Sequence, residues 1–309
     1  MPTPEQPAQP LASAVNWPGP DVLPPHEILE PIEQGGRVVV HRARDATYNR
    51  FVALHRVRPL ALPPEHTAAF LQELRAAAQV RHPYLLPILA VGLLEGQPSF
   101  TTPLTTNRRL SPATFPLSDI REAAALIEKL AGATAAAHAH GLLHGALKPS
   151  AVRFDESNQP LLGEFGLEPL FVSMQQDLPG SPIGNPGYFA PEQLTGRMAL
   201  DASTDLWALG VILYELLTGR HPFIQGDLER GVAGIQSGQP VPPRQLRRDI
   251  DPVLEAVVLC GLEKQPGDRY PSARALADDL ERWRLGQPTV VRPPTWTERV
   301  LRALRRKSR

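Results

Sequence analysis

The chain has 309 residues, zero formal net charge and 42% apolar residues, an ordinary globular composition with room for two lobes and tails. Its single cysteine, Cys260, excludes an intramolecular disulfide and a cysteine-rich zinc site. Cys260 lies in the apolar run from Val257 to Leu262, where a buried, inert thiol is expected.

Residues 1–25 contain eight prolines and little hydrophobic periodicity, which predicts a flexible, Pro-rich disordered leader. Met1 to Leu11 has neither the basic start nor the apolar run of a signal peptide. Short β-branched runs then predict strands at Ile28–Glu33, Arg37–Arg44 and Phe51–Val57. Phe70, Leu71, Leu74, Ala77 and Ala78 recur at helical spacing and predict a helix from Pro64 to Val80. Two further strands, Leu85–Leu94 and Ser99–Leu104, flank the turn Glu95-Gly96-Gln97-Pro98. From Ser118, read as an N-cap, helices dominate: an Ala-rich helix ending before Gly141, then Thr204–Thr218, Pro252–Lys264 and Ser272–Leu285. Gly219 stands where a C′ glycine should end the second of these. The fold class is therefore α+β. The longest apolar stretch, Trp207 to Gly219, is interrupted by Glu215 and falls short of the ~20 residues a membrane span needs.

Residues 144–151 read His-Gly-Ala-Leu-Lys-Pro-Ser-Ala. They resemble the catalytic loop of Ser/Thr protein kinases, H-R-D-L-K-P-x-N, and other motifs occur in the same order. Ala190-Pro191-Glu192 resembles A-P-E, with Arg269 at the place of its ion-pair partner. Asp205 to Gly210 resembles D-x-W-x-x-G, whose Asp bonds backbone amides of the catalytic loop. Pro186-Gly187-Tyr188 resembles the substrate-receiving loop, Glu73 the glutamate of the regulatory helix, and His82-Pro83 the turn after it. The resemblance covers 27–285 and is to bacterial Hanks-type Ser/Thr protein kinases. It implies a bilobal kinase-like fold: a small five-stranded β lobe with one main helix (26–104) and a larger helical lobe (105–286). Residues 287–309 follow as a linker and basic amphipathic helix.

The chemical positions depart from that pattern. Ala146 replaces the Asp that accepts the substrate proton, and Ala151 replaces the Asn that holds magnesium; alanine can do neither. His55 replaces the phosphate-gripping Lys in Val52-Ala53-Leu54-His55, and Glu164 replaces the Asp of D-F-G. The extra methylene of Glu164 displaces its carboxylate from a strict octahedral site. The Gly-rich loop reads Glu33-Gln34-Gly35-Gly36-Arg37-Val38, with the middle glycine kept as Gly35. Gly145 replaces the Arg that reads a phosphorylated activation loop, and Asn185 replaces the substrate-loop Thr that bonds the catalytic Asp. Switching by phosphate is therefore not expected, although Ser173 and Ser181 are available. Lys148 is retained at the place of a γ-phosphate contact.

The resemblance also implies a remnant nucleotide pocket of Gly35, Val40, Ala53, Thr102 and Arg153. Val40 and Ala53 match the roof and Thr102 the gatekeeper. Arg153 stands where a Leu should floor the adenine. Its guanidinium either pairs with Glu164 or Glu73 and fills the pocket, the preferred expectation, or reaches solvent and leaves it open. No cofactor is expected, with ATP and magnesium binding weak or absent.

Residues 292–309 carry seven Arg or Lys against one Glu, a net +6. Thr295 to Glu298 fits a capping box, and Trp296, Val300, Leu301 and Leu304 share one face of the helix it opens. Such a helix engages an anionic membrane surface or an acidic partner, and a frayed solvated tail is the equal alternative. The expected function is a pseudokinase: a signalling or scaffolding module whose partners are proteins, an active kinase or signalling complex among them. The alternatives are an enzyme with weak or atypical ATP-dependent activity and a nucleotide sensor. Nucleic acid is not an expected partner, and the expected location is cytoplasmic, peripheral at the inner membrane face if the tail engages it.

Overall fold

The computed structural model describes residues 22–34, 37–58, 62, 64–114, 119–165, 185–195 and 201–293. The leader before Val22, the glycines Gly35 and Gly36, Ser173, Ser181 and the basic segment 295–309 therefore lie outside the described residues. Strands β1 (His26–Glu33), β2 (Val38–Asp45), β3 (Arg50–Val57), β4 (Ala90–Leu94) and β5 (Gln97–Pro103) form one antiparallel sheet, in the order β1-β2-β3-β5-β4. Pro31 has no amide to give a ladder; it sits in edge strand β1, where the pairing with β2 is irregular. The β4–β5 hairpin turns on Glu95 and Gly96, both at positive φ, as a two-residue turn of the favoured twist requires.

Helix α1 (Thr67–Gln79) follows a 3-10 turn at Pro64–His66. It buries Phe70, Leu71 and Leu74 against Val57, Val91 and Phe100 of the sheet. Two expectations shift here. The strand predicted from Leu85 begins only at Ala90, because Leu85 makes an isolated bridge to Leu162 in the other lobe. The leader does not end as loose chain: Leu23 is buried, and its amide donates to the Leu93 carbonyl at 2.9 Å.

The larger lobe contains α2 (Ile120–His138), the short pair β6 (Val152–Phe154) and β7 (Pro160–Leu162), and α3 (Pro191–Thr195). It continues with α4 (Ala202–Thr218), α5 (Leu228–Ser237), α6 (Pro243–Leu246), α7 (Pro252–Gly261) and α8 (Ala273–Arg284). Every residue of α4 from Thr204 to Leu217 is buried, so this helix is the lobe's axis and the others pack round it. Alanines on α2, among them Ala124, Ala131 and Ala133, are fully buried and let neighbouring helices approach closely. Helix α4 meets α7 at Gly210 and Gly261, where a Cβ on Gly210 would lie 3.0 Å from the Gly261 carbonyl carbon.

The helix ends refine the sequence reading. Helix α2 is capped by Asp119, whose carboxylate accepts from Arg121 N and Glu122 N; Ser118 lies outside the described residues. Helix α7 stops at Gly261, short of the predicted Lys264. The chain turns there, so that Lys264 can donate to the Gly234 and Ile235 carbonyls. Gly219 ends α4 in the left-handed region, at φ 69°, as expected. Cys260 is partly buried, packed against the edge of the large-lobe core instead of fully inside it. Helix α5, which the sequence reading did not anticipate, buries Gly231 and Ile235 and carries two glycines in its interior, an unfavourable composition for a helix.

The lobe is closed by one ion pair. Arg269 and Glu192 form two parallel hydrogen bonds of 2.6 and 2.8 Å, with side chains 0% and 5% exposed. Arg269 also donates to the carbonyls of Glu263, Lys264 and Ser203, so its charge is hydrogen-bonded all round. Removing either partner strands the other charge in an apolar interior. Arg269→Ala should therefore cost about 3–5 kcal/mol in urea unfolding. An unchanged denaturation midpoint would show that the pair does not hold the lobe.

Candidate functional site

The loop 144–151 is positioned by Asp205 in the first turns of α4. This buried carboxylate accepts from His144 N at 2.9 Å, from Gly145 N at 2.8 Å and from His138 Nε2 of α2 at 2.7 Å. Gln193 of α3 adds a bond from its amide nitrogen to the Gly145 carbonyl at 2.7 Å. Asn185 caps the turn Pro186–Tyr188 by accepting from Gly187 N. Behind that turn, Tyr188 donates its hydroxyl hydrogen to Glu215 at 2.8 Å. Burial raises the Glu215 carboxyl to about 7, against the effect of the Tyr188 hydrogen bond. Sequence reasoning missed His138, Gln193 and Glu215. The only signal for them was Gln193 following Glu192 directly.

The loop presents two methyl groups at its chemical positions. Ala146 lines the interlobe cavity, whereas Ala151 is fully buried in the large-lobe core. Lys148 lies 4.0 Å from Glu164, and both line the cavity. Glu164 holds φ 66°, a backbone region costly for a residue with a side chain. His55 is buried, stacked on Phe100 at 4.4 Å, with Nε2 3.1 Å from Thr102 Oγ1. Burial, reinforced by the nearby Arg153 charge, pushes His55 down to about 3, so it is neutral at physiological pH. Glu73 does not join this group. It is exposed on α1, and its neighbours Leu74 and Ala77 face the cavity instead.

Arg153 finds neither carboxylate expected for it. Its guanidinium donates to Glu33 at 2.7 Å, and Arg109 forms an ion pair with the other oxygen of the same carboxylate. The physical reason is placement. Glu73 points to solvent and Glu164 turns toward Lys148, while β6 sets Arg153 beside Arg109, directly opposite the end of β1. Burial alone would raise the Glu33 pKa; the two guanidinium groups outweigh it and hold the carboxyl at about 2. Arg109 carried no signal in the sequence.

Two spaces lie beside this clamp. A gap of about 20 Å³, room for one water, lies at Ala53, Leu104 and Asn107. A cavity of about 610 Å³ runs from Glu33, Val40, Thr102, Arg153 and Lys148 to the wall formed by α1. Arg153 is therefore part of the lining of an open cleft, and the preferred expectation that it fills the pocket does not match this arrangement. Gly35 lies outside the described residues; Val40 and Thr102 line both spaces and Ala53 the narrow one.

Glu33→Gln should weaken the tie between the lobes. The folded-state pKa is depressed, so the stabilisation is present above the unfolded value of 4.5 and is lost as pH falls toward 2. Discounted for partial exposure, the variant should be about 1–2 kcal/mol less stable at pH 7, and the gap should narrow below pH 4.5 and close as pH falls through about 2. Urea melts of both proteins across that range check it; a gap independent of pH would count against the clamp.

A family model described as protein kinase domain matches residues 26–279. The DNA damage-responsive serine/threonine-protein kinase RqkA of Deinococcus radiodurans is 36% identical over 262 residues, covering 82% of this chain and 38% of that protein. Serine/threonine-protein kinase PknB of Mycolicibacterium smegmatis is 33% identical over 289 residues, covering 89% of this chain and 45% of that protein. The chain therefore spans less than half the length of these curated relatives. The kinase domain of Mycobacterium tuberculosis PknI superposes with a TM-score of 0.64 at 23% identity, over 89% of this chain and 99% of that one, a likeness of fold. Among the described residues no helix is long and apolar enough to cross a membrane. The bilobal architecture, the catalytic-loop frame and these relatives agree: the chain belongs to the protein kinase domain family.

Proposed function

We propose that this domain is a pseudokinase, acting as a signalling or scaffolding module through binding and not through phosphotransfer. One observation carries the reading: Ala146 and Ala151 stand at the base and metal positions of a loop whose frame is otherwise held in place by Asp205 and Gln193. General-base assistance is worth about 10²–10⁴-fold, and phosphoryl clamping by metal adds to that. The residues present do not fit a magnesium–nucleotide complex. Glu164 is the sole carboxylate of the two matched metal positions, and the residue at 151 is a buried methyl group. His55 is committed to Thr102 and neutral, and Arg153 puts a guanidinium, paired to Glu33, at the adenine floor position. A fold without chemistry serves by contact, so the partners proposed are proteins: an active kinase or signalling complex.

The second reading is an atypical ATP-dependent enzyme. It is favoured by Lys148 and Glu164, which face the same cavity 4.0 Å apart. Phosphate transfer to itself or to generic protein substrates, followed with labelled ATP and either magnesium or manganese, separates the two. The pseudokinase reading expects label at the buffer blank. Incorporation well above it that disappears in Lys148→Ala would establish the enzyme.

Nucleotide affinity gives a second test. Calorimetry should find ATP binding to the parent at about millimolar or weaker. Arg153→Leu should gain about tenfold, roughly the effect of clearing one poorly placed group. His55→Lys alone should gain less, because it adds a phosphate contact to a site whose floor still carries a guanidinium. Micromolar binding by the parent would overturn this account and favour a nucleotide sensor.

A further inference from the structure

We propose that the turn Pro186–Tyr188 is worked by a proton-operated catch: Tyr188 holds the turn down on the buried carboxyl of Glu215 while that carboxyl is protonated, and ionisation of Glu215 releases it. Glu215 projects from α4 and is 9% exposed. Among the described residues its side chain has one hydrogen-bond partner, the Tyr188 hydroxyl at 2.8 Å. The charges around α4 are engaged elsewhere. Arg269 is taken by Glu192, Arg247 by Asp249, and Lys264 by two carbonyls of α5. Asp205, on the same helix, is spent on loop amides and on His138, and the exposed Arg220 has its effect on Tyr214. A carboxylate out of water with one hydroxyl donor and no cation is disfavoured against its neutral form.

His221 is the other titratable group at the turn, and its geometry locks it. Its Nδ1 accepts from Phe223 N at 3.1 Å and from Ile224 N at 2.9 Å, so the proton stays on Nε2. Nε2 donates that hydrogen to the Gly187 carbonyl at 2.9 Å. Burial lowers the His221 pKa, so the ring stays neutral over the range in which Glu215 titrates. The usual sensor of neutral pH is thus silent here, and the carboxyl takes its place.

The part that can yield is the turn. Helix α4 is buried from Thr204 to Leu217 and cannot carry its carboxylate to water. The start of the turn is steadied by Asn185 and His221 through the Gly187 amide and carbonyl, whereas Tyr188 ties its end to α4. Lifting Tyr188 admits water to the carboxylate, so ionisation favours the lifted form. The held carboxyl titrates at about 7 and a solvated one at 4.5. The hold is therefore full below 4.5 and is lost as pH rises through about 7. The turn resembles the segment that receives protein substrates, so the catch sets the pH at which a protein partner meets it in the held form. That consequence rests on the binding role proposed above; the catch itself does not.

Amide hydrogen exchange of the full chain tests it, with rates corrected for intrinsic pH dependence. The Tyr188 and Phe189 amides close the turn on the Asn185 and Pro186 carbonyls. Their protection should fall about tenfold between about pH 6 and pH 8, the change linkage gives for a carboxyl moving between these two pKa values. Glu215→Gln should show no such fall. Infrared spectra of the parent should keep one protonated carboxyl band above about pH 6, with its midpoint near 7. Tyr188→Phe removes a bond that lowers this pKa, so it should move that midpoint upward; it carries the test should Glu215→Gln not fold. Protection independent of pH, an equal fall in Glu215→Gln, a carboxyl that titrates near 4.5, or an unmoved midpoint in Tyr188→Phe would each overturn the proposal. None of these readouts uses phosphotransfer, so the pseudokinase question is decided separately.

Discussion

A carboxylate removed from water survives only where donors surround it, and Asp205 has three of them, drawn from α2 and from two successive amides of the catalytic loop. Because α4 is buried along almost its whole length, it cannot shift to follow a moving partner; the loop must come to it. The geometry of residues 144–151 is thus set from the core outward. Gln193 and then the Glu192–Arg269 pair carry the same rigidity to the substrate-receiving turn. None of these contacts involves a ligand, so the frame of the site is a product of folding alone.

That separation explains how a kinase frame can persist around altered chemistry. Catalytic groups are held in place at a cost, since a buried base and a metal-binding amide both lose hydration. Alanine at 146 and 151 removes that cost without disturbing the backbone contacts that shape the loop. One unrelieved feature remains: Glu164 keeps a left-handed backbone, worth about 1–3 kcal/mol of strain, with a loose 4.0 Å contact to Lys148. Opposite it, His55 is a flat, neutral ring stacked on Phe100 within the sheet.

How much of this could be read from the sequence depended on the distance over which each feature is determined. The five strands, the long helices, the C′ glycine and the pairing of Glu192 with Arg269 were legible because local periodicity or an ordered motif carries them. The partner of Arg153 was not. Glu33 lies 120 residues away and meets it only because two lobes face each other. Arg109 and His138 were silent for the same reason. The outward direction of Glu73 was hidden because a motif names the residue and not the rotation of the helix that carries it. Helix α5 escaped notice because its stripe of Leu228, Val232 and Ile235 is short and is interrupted by Gly231 and Gly234, which weaken a helical reading.

The Glu33 clamp has a mechanical consequence. In a two-lobed protein whose halves meet across a cleft, the width of the mouth is ordinarily free to follow whatever enters. Here one carboxylate at the end of β1 is gripped from below by two guanidinium groups of the other lobe. The latch is ionic and about one-third exposed, so ionic strength weakens it while a neutral guest does not. The grip at the mouth of the cleft is therefore a function of ionic strength.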